Sequence, residues 1–224
     1  MMKAVLTRFM AGVACAGIAA GPALVTTANA AIVTNGDFAT GDFTGWTLFS
    51  TPNGSLGTSG SGFPAVTSFN VSGSGAQNAA TFQVGEVTFD GTQQGGGITQ
   101  TVTLPSGSID FSANIAALGG TSTNVEGGVF SVLLDGLTED TVGIGTIAAD
   151  EVIRNTLNFT TTESAGPHTL EILVTRPFTN PLRTPEQFIT NIAITGAAAV
   201  PEPASLALLA AGLLGIAAVR RWRR

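Results

Sequence analysis

Between residues 31 and 196 the apolar residues recur with period two, and no stretch there holds a helical period with caps at its ends. This is the tightest constraint on the fold, because alternate residues of a strand point to opposite faces, whereas a helix needs its apolar residues three and four apart. Ile98, Val102 and Leu104 share one face. So do Ile109, Phe111, Ala113 and Ile115, with Asp110, Ser112 and Asn114 turned the other way. Phe130, Val132 and Leu134 continue the pattern, then Leu157 and Phe159, then Leu170, Ile172 and Val174, and Phe188, Ile192 and Ile194 close it. Turn signals fall between the runs: Gly95-Gly96-Gly97, Pro105-Ser106-Gly107, Gly119-Gly120, Asp135-Gly136 and Gly166-Pro167. Short strands rich in Thr, Val, Ile and Phe at this spacing predict an all-β antiparallel sandwich rather than βαβ units. The common parity of Phe111, Ile115, Phe130, Val132, Leu170, Ile172 and Ile192 predicts that they share one core. Residues 51–78, rich in Gly and Ser, are expected to form a long surface excursion or weak edge strands.

The two ends are written in a different chemistry. Lys3 and Arg8 precede an apolar run from Phe9 to Ala20, and Ala28-Asn29-Ala30 places small residues where a signal peptidase reads, so residues 1–30 are expected to be a signal peptide cut after Ala30. Cys15 is the single cysteine, and Gly12 stands where a lipoprotein signal carries a large aliphatic residue, so lipidation is not expected. The mature chain then has no thiol, which removes disulfides, thiolate metal sites and a cysteine nucleophile. At the other end, Ala197-Ala198-Ala199 reads as a linker into Val200-Pro201-Glu202-Pro203, where the prolines bar a helix. Residues 204–219 follow without a charge, a run of about 24 Å as a helix, a little short of the ~30 Å hydrocarbon core unless its flank snorkels. Arg220, Arg221, Arg223 and Arg224 surround Trp222 and predict a cytoplasmic C-terminus, with residues 31–200 outside.

Motif, apolar run and arginine cluster in this order, at the extreme C-terminus, closely resemble the PEP-CTERM sorting signal of Gram-negative bacteria. The resemblance covers about 25 residues. It implies recognition of Pro201, Glu202 and Pro203 by an exosortase, a membrane transpeptidase, with Arg220 and Arg221 as the basic stop, and passage to the cell surface or an exopolysaccharide matrix.

A second resemblance begins at the expected mature N-terminus. Asn35-Gly36-Asp37-Phe38 followed by Gly41-Asp42-Phe43-Thr44-Gly45-Trp46 looks like the N-G-x-F-E-x-G…G-W opening of galactose-binding-like jelly rolls, which include many carbohydrate-binding modules. Phe130 to Gly136 resembles their F-x-V-x-L-D-G hairpin and Phe188 to Ile194 their closing strand. The likeness implies a single jelly-roll-type sandwich over residues 31–196. Many such domains hold a structural calcium through a glutamate after N-G-x-F and an aspartate in the closing strand, but those positions here are Ala39 and Thr190. No metal or cofactor is therefore expected, Asp37 and Asp42 being the weak candidates, and calcium is expected to leave the melting temperature nearly unchanged.

Charge narrows the function. Residues 31–200 carry fourteen acids against Arg154, Arg176 and Arg183, whereas the whole chain nets only −6 because the two tails hold the other cations. Such a surface repels phosphate backbones, so nucleic acid is not expected as a partner. Trp46 is either core, as the G-W position usually is, or a ligand contact. His168 reads as a loop residue before a strand, with no G-x-S-x-G or other catalytic signature near it. Glu139-Asp140 and Asp150-Glu151 are adjacent in sequence, which on strands splits each pair between two faces and does not suit glycoside hydrolysis. The expected function is a non-catalytic, exosortase-processed surface or matrix protein associated with exopolysaccharide. The alternatives are a glycan-specific carbohydrate-binding module and an extracellular hydrolase.

Overall fold

The period-two segments become strands, and the computed structural model describes residues 31–120, 125–177 and 184–196, among which there is no helix. The elements are β1 (Thr47–Ser50), β2 (Gly54–Ser55), β3 (Ala65–Phe69), β4 (Gln77–Phe82), β5 (Gly85–Glu86), β6 (Gln94–Leu104), β7 (Gly107–Leu118), β8 (Val129–Leu134), β9 (Leu137–Gly143), β10 (Val152–Glu163), β11 (Gly166–Arg176) and β12 (Glu186–Gly196). Two five-stranded antiparallel sheets, β1-β6-β11-β8-β9 and β10-β7-β12-β4-β3, form the jelly-roll-type sandwich, and β2 pairs with β5 at one edge. Consecutive strands cross between the sheets at Pro105-Ser106 and at Ser164-Ala165, because β6 and β11 belong to one sheet and β7 and β10 to the other.

The inward faces carry the core. Phe111, Ile115, Phe130, Val132, Leu170, Ile172 and Ile192 lie in one buried cluster, as their parity predicts. Phe111 and Phe159 stack at 5.0 Å across the β7–β10 pair. Asp135-Gly136 turns β8 into β9 in two residues, with φ of 52° and 80°. This is the left-handed pair that a two-residue hairpin of this twist requires, and Asp-Gly supplies it.

Two expectations change. Gly95-Gly96-Gly97 is not a turn but the buried start of β6, paired to β11 on one side and, through Gly96 and Gly97, to β1 on the other. Phe188 does not share a face with Ile192 and Ile194, because a bulge at Asn191 (φ 53°) shifts the register between Thr190 and Ala193 and reverses the parity. Phe188 instead stacks on Phe69 at 3.8 Å in a second cluster with Val71, Ala79 and Ala116. Of the two forms expected of residues 51–78, the edge strands are the one found: the segment holds β2, the edge strand β3 and part of β4, with Val71 fully buried.

Polar side chains fix the layers where the core runs out. Gln187 is fully buried, accepting from the Val84 N–H (3.0 Å) and donating to the carbonyls of Gly127 (3.2 Å) and Pro185 (2.9 Å). Arg176, also fully buried, donates to the carbonyls of Val84 and Glu126, and burial lowers its pKa to about 10, leaving it charged at neutral pH.

Candidate functional site

The opening segment is built around Asn35. Its φ of 51° bends the chain so that its amide nitrogen donates to the carbonyls of Asp42 (3.1 Å) and Thr44 (3.0 Å), while its side-chain oxygen accepts from the Thr40 N–H (3.3 Å). Phe38 and Trp46 are carried inward and stack at 6.2 Å, with Phe43 edge-on to Phe38. Trp46 is 7% exposed and its indole N–H donates to the Asn35 carbonyl, so it packs the loop and offers no face for a sugar. That settles its alternative as a ligand contact. Gln100, on the inward face of β6, accepts from the Thr34 N–H and donates to the carbonyls of Thr34 and Gly45, tying the loop to the sheet.

An open depression of about 370 Å³ lies between this loop and the β12 bulge, lined by Val33, Asn35, Gly36, Asp37, Asn191 and Ile192 among others. It is the place where the resemblance of the opening and closing segments would put a structural calcium, and the oxygens here are already committed. Asp37 accepts from the Ala39 N–H, Asp42 accepts from the Thr40 hydroxyl (2.7 Å) and the Thr44 N–H (2.9 Å), and these bonds lower the Asp42 pKa. Thr190 is fully buried and donates to the Asn78 carbonyl, and the Ile192 N–H donates to the Gly36 carbonyl. Two carboxylates held in turns and no closing-strand aspartate do not fit a six- to eight-coordinate ion. Among the described residues no three His, Cys, Asp or Glu side chains gather to hold a metal.

His168 is not in a loop. It lies in β11, 7% exposed, with Nδ1 2.7 Å from Asp135 Oδ2 and Nε2 3.0 Å from the Ser164 carbonyl. Both partners are acceptors, so both ring nitrogens donate and the ring is an imidazolium. Asp135 raises the His168 pKa above 6.5. The Asp135 pKa falls below 3.8, chiefly through the Thr169 N–H and then through His168. The histidine contribution is complete below pH 6.5 and is lost as pH rises through its raised folded value; that of the aspartate is present above 3.8 and lost as pH falls through its lowered one. Melting curves should therefore show His168→Gln losing more against wild type between pH 3.8 and 6.5 than at a pH above the raised histidine value. An equal loss at both would contradict the charged pair.

The adjacent carboxylates also serve the backbone. Asp140 accepts from the Asn158 N–H of β10, and Glu151 accepts from the Ala148 N–H in a turn where Asp150 has φ 61°. Sequence reasoning passed over the loop after β5, where Phe89 is 76% and Val87 67% exposed and Asn53 is bonded to Glu86, Thr88 and Asp90. Its signal was an aromatic between charges beside a glycine run, Glu86 to Gly97, which resembles an ordinary strand and turn.

The cleavage residues Ala28 and Ala30, the motif Val200 to Pro203, the apolar run 204–219 and the arginines 220, 221, 223 and 224 lie outside the described residues. Among the described residues no helix is long and apolar enough to cross a membrane.

Comparison with known proteins identifies two ends of the problem. Similar solved structures include TmCBM61 in complex with β-1,4-galactotriose (17% identity, TM-score 0.46, covering 75% of this chain and 100% of that one). They also include the CBM22-1 xylan-binding domain of Paenibacillus barcinonensis Xyn10C (10%, 0.37, 71% and 90%) and the arabinose-bound α-L-arabinofuranosidase MgGH51 (15%, 0.43, 74% and 26%). These likenesses are of fold. No curated protein sequence matches the chain. Residues 199–224 match the PEP-CTERM protein-sorting motif.

Proposed function

We propose that the chain is an exported, exosortase-processed protein of the cell surface or extracellular matrix, whose β-sandwich is non-catalytic and associates with exopolysaccharide. The observation that carries this reading is the sorting motif matched over residues 199–224. In this reading signal peptidase cuts after Ala30 and residues 204–219 hold the chain with its domain outside and its arginines inside. The exosortase then acts at Val200 to Pro203. The non-catalytic assignment is supported by the commitments of the acids and of the one histidine: His168 is closed off by Asp135 and Ser164, and Asp140 and Glu151 hold backbone N–H groups. Glu202→Ala is the test: an uncut precursor kept in the membrane supports the reading, and unaltered release contradicts it.

A second reading, specific glycan recognition, is favoured by Phe89. Phe89 is 76% exposed and precedes Asp90, whose carboxylate accepts from the Asn53 amide, and an exposed aromatic near polar groups is the kind of residue on which a pyranose ring stacks. A glycan array should then give reproducible binding that Phe89→Ala removes. Binding that survives the substitution would move the contact elsewhere.

A further inference from the structure

The loop after β5 folds two carboxylates onto the same pair of small side chains. Asn53 Nδ2 lies 3.4 Å from Glu86 Oε1, 3.2 Å from Asp90 Oδ2 and 2.6 Å from the Thr88 carbonyl. The Asn53 orientation is set from its other atom as well, since Oδ1 accepts from the Thr88 N–H at 3.0 Å. Thr92 Oγ1 lies 3.1 Å from Glu86 Oε1 and 2.6 Å from Asp90 Oδ1, and a hydroxyl has one proton to give to the two. The hydrogen bonds these carboxylates receive come from an amide, a hydroxyl and the Thr92 N–H, all neutral groups.

Glu86 makes the arrangement unstable as it stands. It is 2% exposed, and its second oxygen, Oε2, is buried with no hydrogen-bond partner. A buried carboxylate oxygen without a donor carries a large desolvation cost, and a like charge at its side adds to it. Two arrangements relieve both: a proton shared between the carboxyls, or a cation between them.

We propose that Glu86, Asp90 and Thr92, held in place by Asn53, form a calcium-binding site distinct from the opening segment. The donors are all oxygen, which suits a hard cation and excludes metals that select nitrogen or sulfur. Two carboxylates balance the charge of a divalent ion, and a set of up to four carboxylate oxygens and one hydroxyl, open to water on the exposed Asp90 side, is irregular. Calcium accepts such geometry with six to eight ligands, whereas magnesium demands a near-ideal octahedron. Asn53 is a positioning residue, because its oxygen is used by Thr88. A bound ion would also pin the loop that carries Val87 and Phe89.

The test is calorimetry and thermal melting on the full exported chain after chelation, titrated with calcium chloride and, separately, magnesium chloride. Contrary to the expectation drawn from the opening and closing segments alone, calcium should bind with Kd about 10⁻⁴–10⁻³ M, the range of extracellular sites, and raise the melting temperature, with a weaker magnesium response. Glu86→Gln and Asp90→Asn should each remove the binding heat, and Asn53→Ala should weaken it about tenfold or more. Asp90→Asn changes an exposed side chain and keeps the fold intact if Glu86→Gln does not. Asp37→Asn and Asp42→Asn should leave the calcium response unchanged. No calcium heat in the wild type up to about 10 mM, or heat that survives Asp90→Asn, or heat that Asp37→Asn abolishes, would overturn the site.

Discussion

Gly97→Ala is expected to destabilise the sandwich by about 3 kcal/mol or more, while the same change at Gly143 leaves it near wild type. A Cβ at Gly97 would fall 2.9 Å from the carbonyl carbon of Ile172, closer still to its oxygen, and 3.2 Å from the Leu173 Cα. These are backbone atoms of the neighbouring strand β11, fixed by the continuous β6–β11 ladder, so no side-chain rotation relieves the contact. Gly96 is confined in the same way by β1, where an added carbon would lie 2.8 Å from the Ser50 Cα. Gly143, at the end of β9, has nothing within 4 Å of an added Cβ and carries no left-handed φ. Relieving the unfolded chain of one glycine's freedom there is worth a few tenths of a kcal/mol in favour of the fold. For a domain of this size the loss at Gly97 corresponds to about 6–12 °C in melting temperature. Equal melting temperatures for the two variants would show that β6 and β11 do not approach as closely as this.

The same three glycines show where the sequence was legible and where it was not. Parity alone placed Phe111, Phe130, Leu170 and Ile172 in one core, because the ladders of β7 with β10 and of β11 with β6 and β8 run without a register shift. Asp135-Gly136 was legible as a turn because the left-handed backbone needs those residue types. Glycine at 95–97 serves close approach instead, and that requirement lives in the facing strands β1 and β11, far away in sequence. Phe188 was misplaced by one inserted residue in the β12 bulge, which no local pattern announces. His168 acquires its charge from Asp135, 33 positions earlier, and the Glu86–Asp90 cradle is assembled by Asn53 from 33 and 37 positions away. Such pairs are products of topology, so the candidate sites were less legible than the core. Asp37 and Asp42 were visible by motif, yet each is spent within its own turn.

Glu202→Ala has the other large effect, because it acts on location rather than on stability. The tail departs from the sandwich in every physical respect: prolines that end strand and helix alike, sixteen uncharged residues from Ala204 to Val219, and four arginines after them. If a transpeptidase reads Pro201-Glu202-Pro203, the loss of one carboxylate should change processing from nearly complete to nearly absent while the melting temperature of the sandwich stays the same. If the tail were only an anchor, both chains would keep it and remain in the same membrane.

Mass spectrometry of the chain recovered from the producing cells, with both termini mapped, puts the sorting account to its most direct test. The wild-type surface fraction should begin at Ala31 and lack the peptide ending in Arg224, and the Glu202→Ala membrane fraction should keep that peptide. A surface-exposed wild-type chain that still ends in Arg224, or a Glu202→Ala chain trimmed like the wild type, would contradict it.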